Sequence, residues 1–379
     1  MHTKVFLKKR FKDYYWRSRV EAPPEVASRE FGVGTLEDKI KFRHKSFQSE
    51  KELSDYLKTE APYYISYSAA YYEFPKNQPI QSKNWRGADL IFDLDMPMPL
   101  LDAGRMQKVK DEALVLLDFL KTDFGFPSQD IRINFSGGKG YHIHVISERV
   151  RSLGGDERRE LVDYVTGTGL SIDTFIHPVD SAEGLVFVRG KPKVSAARWA
   201  GPTKDSRGWA RRIYDVTRKL ITSSREELVE MEGIGPKTAE KIVENRERNI
   251  RLLEAGQWEA LLSQFRSNIQ KQILRNSVEI TDDDKMVSID TSRLIRLPDT
   301  IHGGSGLLAK RVRDFDSFNP LVDAIAFSGG GMRFRVVADT GKFDLNDTTF
   351  GPYKAGSEAT APECAAIYLM LKGNAEAVA

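Results

Sequence analysis

Two acidic residues at alternate positions of an apolar run are the first candidates for chemistry. The run Ala88-Asp-Leu-Ile-Phe-Asp-Leu-Asp-Met-Pro97 predicts a half-buried strand, with Asp93 and Asp95 on one face. Residues on one face of a strand lie about 7 Å apart, close enough for two carboxylates to bind a common pair of cations. Without a cation the two charges repel each other. Taken alone the motif is weak, and two interpretations stay open: a metal site, or a solvent-facing edge strand kept soluble by its acids.

A glycine-rich turn, Ser136-Gly-Gly-Lys-Gly-Tyr-His142, is the second candidate. Alternating apolar residues on either side predict two strands, at 131–135 and 141–145, joined by this turn. Glycines let the backbone approach a ligand closely, and Ser136, Lys139 and His142 add donors and charge. The spacing is not that of a P-loop. The turn predicts contact with a bound anion, and its alternative is a plain hairpin turn.

The third candidate combines an acid, two arginines and a histidine. Asp290 ends a predicted short apolar strand, Arg293 and Arg296 follow, and His302 opens the glycine loop His302-Gly-Gly-Ser-Gly. If a helical turn follows Asp290, the two arginines share one face. Paired arginines suit phosphate oxygens because the guanidinium group donates in a fixed fork. In the alternative, Asp290 caps a helix and the arginines are solvated.

The three candidates together match the requirements of nucleotidyl transfer. Three aspartates can hold two divalent cations, and the glycine turn with its Arg, Lys and His neighbours can neutralise a triphosphate. No adjacent nucleophile and base indicate covalent catalysis. The sequence therefore favours a metal-assisted in-line displacement.

The elements that must position these residues follow from hydrophobic periodicity. The pattern predicts an α/β (α+β) core with a mixed sheet at 1–220 and 277–379, and a helical insert at 221–276. Ser224 and Glu227 form a capping-box signature at the start of that insert. Helices are predicted at 3–16, 105–124, 156–166 and 362–371, and late strands at 287–290, 324–327 and 332–337.

Composition limits the class of protein. The chain has 379 residues, 29% of them charged, and a single cysteine, Cys364, which excludes internal disulfides and multi-cysteine metal cages. No apolar run reaches the roughly 20 residues of a membrane span, and no signal peptide is evident, so we expect a cytoplasmic protein. The net charge of +3 is small. Basic clusters at Lys8 to Lys12 and Lys191 to Arg212 leave nucleic-acid binding open.

One further stretch has two interpretations of equal weight. Gly233-Ile-Gly235 resembles a helix-hairpin-helix turn, in which backbone amides meet nucleic-acid phosphates. The alternative is a simple interhelical Gly-Pro turn.

In combination, five motifs of the sequence resemble a known family, the small catalytic subunit of archaeal and eukaryotic DNA primase, most closely the archaeal version. These motifs are Arg29-Glu-Phe, Gly87-Ala-Asp-Leu-Ile-Phe-Asp-Leu-Asp, Ser136 to His142, Asp290 with Arg-Leu-Ile-Arg-Leu-Pro, and Pro362-Glu-Cys-Ala-Ala-Ile-Tyr-Leu. The resemblance implies a template-directed polymerase that starts chains de novo on single-stranded DNA. It also implies a primase large subunit carrying an iron–sulfur cluster as partner.

The resemblance also implies roles for single residues. Asp93, Asp95 and Asp290 would hold Mg²⁺ or Mn²⁺, and Glu30 matches an acid near the site. The residues that would contact the incoming NTP or dNTP are Ser136, Gly137, Lys139, His142, Arg296 and His302.

The sequence departs from the family in one respect, because no Cys/His cluster follows the paired aspartates. We therefore expect no structural zinc. Two other functions stay open: a repair or translesion polymerase that extends but does not initiate, and an inert nucleic-acid-binding subunit. The second would show salt-sensitive DNA binding without metal-dependent incorporation.

Overall fold

The computed structural model describes residues 2–179, 185–188, 191–194, 198–231, 233–275 and 289–378. The chain forms two compact units. The first consists of Met1–Leu114, Phe126–Val162 and Ile280–Ala379, and the second of Val115–Gly125 and Asp163–Glu279. The second unit is thus larger than the helical stretch 221–276 indicated by the sequence.

The first unit is built on two four-stranded sheets in which all described pairs are antiparallel. The first sheet has the order Leu294–Arg296, Tyr64–Ser68, Phe31–Gly34, Phe42–Lys45. The second sheet has the order Arg311–Val312, Ile131–Phe135, Gly140–Val145, Leu90–Asp95. Tyr67 of the first sheet stacks on His144 of the second with ring centroids 6.4 Å apart. The predicted α/β class is confirmed, but the described strands of these two sheets are all antiparallel rather than mixed.

The remaining described strands form smaller sheets of two or three strands. In the first unit these are Glu358–Pro362 with Gly331–Val336 and Ala375–Ala377, Ala70–Tyr72 with Trp85–Ala88, Thr300–Ile301 with Leu308–Ala309, and Phe343–Leu345 with Thr348–Phe350. In the second unit they are His177–Val179 with Arg198–Ala200, and Leu185–Val188 with Lys191–Val194.

The predicted helices outside the insert are present, with shifted ends. Outside residues 208–276, the described α-helices are His2–Arg17, Glu50–Glu60, Ala103–Asp118, Glu148–Arg151, Gly155–Thr166, Pro320–Asp323 and Glu363–Leu371. The opening helix buries Leu7, Phe11 and Tyr15, one apolar stripe at helical spacing. The closing helix is buried nearly all round, including Cys364. Both are core elements of the first unit.

The helical stretch of the second unit is also confirmed. Its helices are Gly208–Thr222, Arg225–Glu230, Pro236–Glu244, Arg246–Glu254 and Glu259–Arg275. The predicted capping box is present, since Ser224 accepts from the Glu227 backbone while the Glu227 carboxylate accepts from the Ser224 backbone.

Residues 294–296 form a strand, because Leu294 and Arg296 pair with Ser68 and Ser66, and the turn that follows Asp290 is limited to residues 290–293. One prediction for the late strands is wrong. Residues 324–327 form no strand, because a short helix, Pro320–Asp323, precedes them and only Ile325 bridges to Leu307. The predicted strand at 287–290 lies largely outside the described residues.

Candidate active site

The carboxylate pair, Asp93 and Asp95, lies at the end of the strand Leu90–Asp95, at one edge of the second sheet. This strand pairs with Gly140–Val145, so that Asp93 is opposite His142 and Asp95 is opposite Gly140. The side chains of Asp93 and Asp95 are only 14% and 22% exposed. The solvent-facing alternative is therefore wrong, and the acids are held in a mostly buried position.

Each carboxylate of the pair contacts one basic side chain. His142 Nε2 lies 3.4 Å from Asp93 Oδ1, and Lys139 Nζ lies 3.2 Å from Asp95 Oδ2. The Oδ1 atoms of both aspartates are buried and accept no hydrogen bond from any described residue. A buried carboxylate oxygen without a donor is costly unless a cation or donor binds to it. Asp95 Oδ1 is therefore available for a ligand, and Asp93 Oδ1 can bind one beside the His142 ring, with which it forms no hydrogen bond.

Burial and the pair's mutual repulsion separate the two pKa values. Burial raises the pKa of Asp95, and the negative charge of Asp93 raises it further. Burial acts in the same direction on Asp93, but the charges of His142, Arg293 and Lys139 outweigh it and leave that pKa below its ordinary value. The neighbouring charges thus favour ionised Asp93, whereas burial and the charge of Asp93 disfavour ionised Asp95.

The glycine turn, residues 136–140, lies between Asp95 of the carboxylate pair and His302. Ser136 Oγ accepts from the backbone N–H groups of Gly138 and Gly140 at 3.3 and 3.2 Å. Gly137 has a φ of +77°, and a Cβ there would lie 2.8 Å from the Cβ of His302. Position 137 therefore has no room for a side chain, because the turn and His302 lie in close contact, as predicted.

His302 opens the loop 302–306 and presents one ring nitrogen. The Gly304 backbone donates to its Nδ1 at 3.2 Å, so in the neutral ring the proton is on Nε2. Burial and the nearby charge of Arg296 lower the pKa of His302 well below its ordinary value, which keeps the ring neutral. A Cβ built on Gly138 would lie 3.4 Å from Nε2. His302 is thus a neutral donor facing the glycine turn.

Arg296 lies on the edge strand of the first sheet. Its guanidinium carbon is 5.0 Å from the ring centroid of Tyr64, and its Nη1 atom is buried and donates to no described residue. Burial lowers the pKa of Arg296, although Tyr64 and the carboxylate pair oppose this. An unpaired buried N–H group of a guanidinium is a ready contact for an anion. Arg293 and Arg296 do not share a helical face, because the turn that follows Asp290 ends at Arg293, whose N–H donates to the Asp290 carbonyl at 3.2 Å, and Arg296 belongs to the strand Leu294–Arg296.

Asp290 differs from the carboxylate pair in its surroundings. It is exposed, and its Oδ1 accepts from the backbone N–H and the hydroxyl of Ser292 at 2.9 and 2.7 Å. Within the described ranges, no three His, Cys, Asp or Glu side chains converge closely enough to hold a metal ion. Residues 276–288, which precede Asp290, lie outside those ranges. Its role as a third metal ligand stays a prediction.

The carboxylate of Glu30 is already paired with basic side chains of the protein. Its buried carboxylate lies 3.0 Å from Arg43 Nε, 3.2 Å from His44 Nδ1 and 3.6 Å from Lys83 Nζ. Arg43 also donates to the backbone oxygen of Ser292, which ties Glu30 to the segment of Asp290.

The sequence interpretation missed one cation near the site. Lys39 lies in the turn after the strand Phe31–Gly34, and besides burial the charges of Arg296 and Lys139 lower its pKa, while Asp95 opposes them. No motif marks this lysine, because the turn reaches the site only through the tertiary fold.

The glycine hairpin of the second unit has the form that both interpretations require. Gly233 and Gly235 lie between the helices Arg225–Glu230 and Pro236–Glu244, and Gly233 has a φ of +83°. Asn268 donates to the Gly233 carbonyl at 3.0 Å, and Ile234 is buried. Whether its amides meet nucleic acid stays a prediction.

The geometry of the first unit defines a class of enzyme. Buried acceptor oxygens on one strand lie beside a glycine turn, a neutral histidine donor and an unpaired arginine N–H, which is an arrangement for transfer of a phosphate-containing group. Comparison with known proteins gives the family. Residues 92–314 match the model of the DNA primase small subunit.

Full-length relatives agree. The chain is 36% identical to the DNA primase small subunit of Methanococcoides burtonii over 99% of both chains. It is 35% identical to that of Methanothrix thermoacetophila over 99% of this chain and 98% of the relative, and 36% identical to that of Methanosarcina acetivorans over 99% and 96%. The chain belongs to the DNA primase small subunit family, and the resemblance to its archaeal version is confirmed.

Membership makes this chain an enzyme of the primase type, a nucleotidyltransferase, and supports a primase role in DNA replication. Among the described residues, no helix is long and apolar enough to cross a membrane.

Proposed function

We propose that this chain synthesises short primers de novo on single-stranded DNA from NTPs or dNTPs, releasing pyrophosphate. The observation that carries the proposal is the pair of buried Oδ1 atoms of Asp93 and Asp95, which accept no hydrogen bond from any described residue. Such a local conflict between burial and charge is typical of functional sites.

The carboxylate pair fits Mg²⁺ or Mn²⁺. Both are hard cations that prefer oxygen ligands, and the two donor-free oxygens are of that kind. Asp93 and Asp95 would hold the ions, with Asp290 as the third ligand that the family pattern implies. When bound, the ions supply positive charge at the attacking and leaving oxygens of an in-line displacement.

The remaining residues bind and orient the nucleotide. Arg296 Nη1 and His302 Nε2 would donate to triphosphate oxygens. Lys139 adds a positive charge, and its side chain is positioned by the ion pair with Asp95. Gly137 and Gly138 allow the triphosphate close to the backbone, and Ser136 and His142 are further contacts of the triphosphate, with His142 also beside Asp93. The proposed reaction is attack of a 3′-hydroxyl on the α-phosphate.

The names of the relatives call them small subunits, and we propose that this chain likewise pairs with a large subunit. The iron–sulfur cluster of that subunit is part of the same proposal. The single cysteine of this chain, Cys364, is buried in the closing helix.

Primer-free synthesis on a single-stranded template, with each nucleotide set and each metal ion, tests the proposal. We expect short products that start without a primer and that disappear in the Asp93→Asn variant. Products that form only on a pre-annealed primer would instead identify an extending polymerase. Oligonucleotide binding without any metal-dependent incorporation would identify an inert binding subunit.

A further inference from the structure

The opening helix carries a basic face that the proposed chemistry does not use. Its buried stripe, Leu7, Phe11 and Tyr15, packs into the first unit. Four lysines of the same helix, Lys4, Lys8, Lys9 and Lys12, are exposed. Charges repeated on one helix face next to a cleft indicate a binding surface for an anionic partner when they are not neutralised.

These lysines line a cleft of about 570 Å³, which we call the lysine groove. Its other wall contains Thr35, Leu36, Pro62 and Tyr63. Lys8 donates to the carbonyl of Ala61 at 3.1 Å and lies 5.7 Å from the ring centroid of Tyr63. One lysine of the groove is therefore held against its other wall, beside an aromatic ring.

Most of the charge of the groove is available. Lys4 pairs with Glu37 at 2.6 Å, whereas Lys9 and Lys12 form no ion pair with any described residue. The only acid in the lining is Glu37. Four cations against one carboxylate give the groove a net positive charge.

An exposed aromatic residue extends the face. Val5, Lys9, Lys12 and Trp16 follow each other at spacings of four, three and four residues, so they form one stripe along the helix. Trp16 is 62% exposed and Val5 64%. Large exposed apolar side chains beside unpaired lysines are the combination that binds unpaired bases and their phosphates together.

The groove adjoins the candidate active site. Tyr63 lines the groove, and the next residue, Tyr64, contacts His302 with ring centroids 5.4 Å apart. A Cβ built on Gly303 would lie 2.8 Å from the carbonyl oxygen of Tyr63. The segment Tyr63-Tyr64 thus connects the wall of the groove with His302.

We propose that the lysine groove and Trp16 bind the single-stranded template, with Lys9 and Lys12 on its phosphates and Trp16 stacked on a base. The inference rests on the proposed function only in naming the strand as template. Because single-stranded nucleic acid exposes both phosphates and base faces, it satisfies the cations and the indole together.

The test is the affinity of the full chain for fluorescein-labelled oligo-dT, measured by anisotropy over a range of salt without nucleotide or metal ion. For Lys9→Glu/Lys12→Glu we expect a loss of about tenfold or more. The slope of log affinity against log salt should also fall by roughly 1.4, about 0.7 for each lost phosphate contact. The control is Lys108→Glu, which changes an exposed lysine of another helix.

Trp16 is tested separately. Trp16→Ala should lose about tenfold in oligo-dT affinity with an unchanged salt slope, and Trp16→Phe should keep most of it because a ring remains for stacking. The inference is overturned if the double lysine variant stays within about twofold of Lys108→Glu. Loss of large-subunit binding with unchanged oligo-dT affinity would also overturn it and assign the groove to a protein.

Failure of this inference is distinguishable from failure of the proposed function. Asp93→Asn should bind oligo-dT as the native chain does while making no product. A native-like product yield from Asp93→Asn would contradict the proposed function and leave the binding result for the groove untouched.

Discussion

The strand Leu90–Asp95 has opposite kinds of aspartate at its two ends. Before it, Asp89 is buried and fully partnered, with Arg29 Nη2 and the Tyr71 hydroxyl each 2.7 Å from its carboxylate. Towards its end, Asp93 and Asp95 are also mostly inside the protein, but one oxygen of each has no donor. Burial alone therefore does not separate a structural acid from a functional one. The separation lies in whether the fold supplies the partners.

The largest expected effect is on activity at the end of the strand. Asp93→Asn should reduce nucleotide addition by about 100- to 1,000-fold or more, the scale of losing one group that stabilises charge in the transition state. Asp290→Asn should do the same if it is the third ligand. Primer synthesis on single-stranded template measures both, with circular dichroism to verify the fold. Normal synthesis by either variant would contradict that residue's assignment.

The next effect is on stability, just before the strand. Asp89→Ala leaves the buried Arg29 guanidinium without its carboxylate, so we expect a loss of about 3–5 kcal/mol of unfolding free energy. Urea unfolding followed by far-UV circular dichroism measures it. Asp89→Asn is the control, since it keeps an acceptor and should lose less. A fully stable Asp89→Ala variant would remove the distinction between the two ends.

Arg296 should give an intermediate effect confined to the nucleotide. Removing a charge-assisted contact of about 1.5–3 kcal/mol predicts a KM for nucleotide raised by roughly 10- to 150-fold in Arg296→Ala. Arg296→Lys keeps the charge but not the fork, so it should recover only part of the loss. Steady-state kinetics measure the KM for nucleotide, and oligo-dT binding measures the template affinity as the second readout. A change in template affinity alone would contradict the triphosphate role.

The smallest effect is a gain of stability at the carboxylate pair. Burial and the charge of Asp93 both disfavour ionised Asp95, so Asp95→Asn should unfold at the same or a slightly higher temperature in metal-free buffer while losing activity. Thermal unfolding of Asp95→Asn beside Asp89→Asn shows the contrast. If Asp95→Asn is the less stable of the two, the pair is structural as well.

Much of this site could be predicted because the patterns are local. Period-two alternation indicated the strand of Asp93 and Asp95, and the glycines of residues 136–140 indicated the turn. Strand faces and tight turns depend on neighbouring residues along the chain, so the sequence contains their cause. The capping box at Ser224 is predictable for the same reason.

The errors lie where distant segments decide the structure. Arg293 and Arg296 have helical spacing, yet residues 294–296 join the edge of the first sheet, because Tyr64–Ser68 offers an unpaired edge that outweighs local preference. Lys39 could not be found because its turn carries no motif. Its place near Asp95 follows from the hairpin of the first sheet.

The sequence by itself determined the family, the elements and the identity of the acids and cations, because motifs and periodicities are properties of neighbouring residues. Only the tertiary structure decided which acids have hydrogen-bond donors. Asp89 accepts from Arg29 and Tyr71, whereas Asp93 and Asp95 each keep one oxygen that accepts no hydrogen bond from a described residue. The physical reason is that hydrogen-bond satisfaction depends on groups brought together from distant parts of the chain.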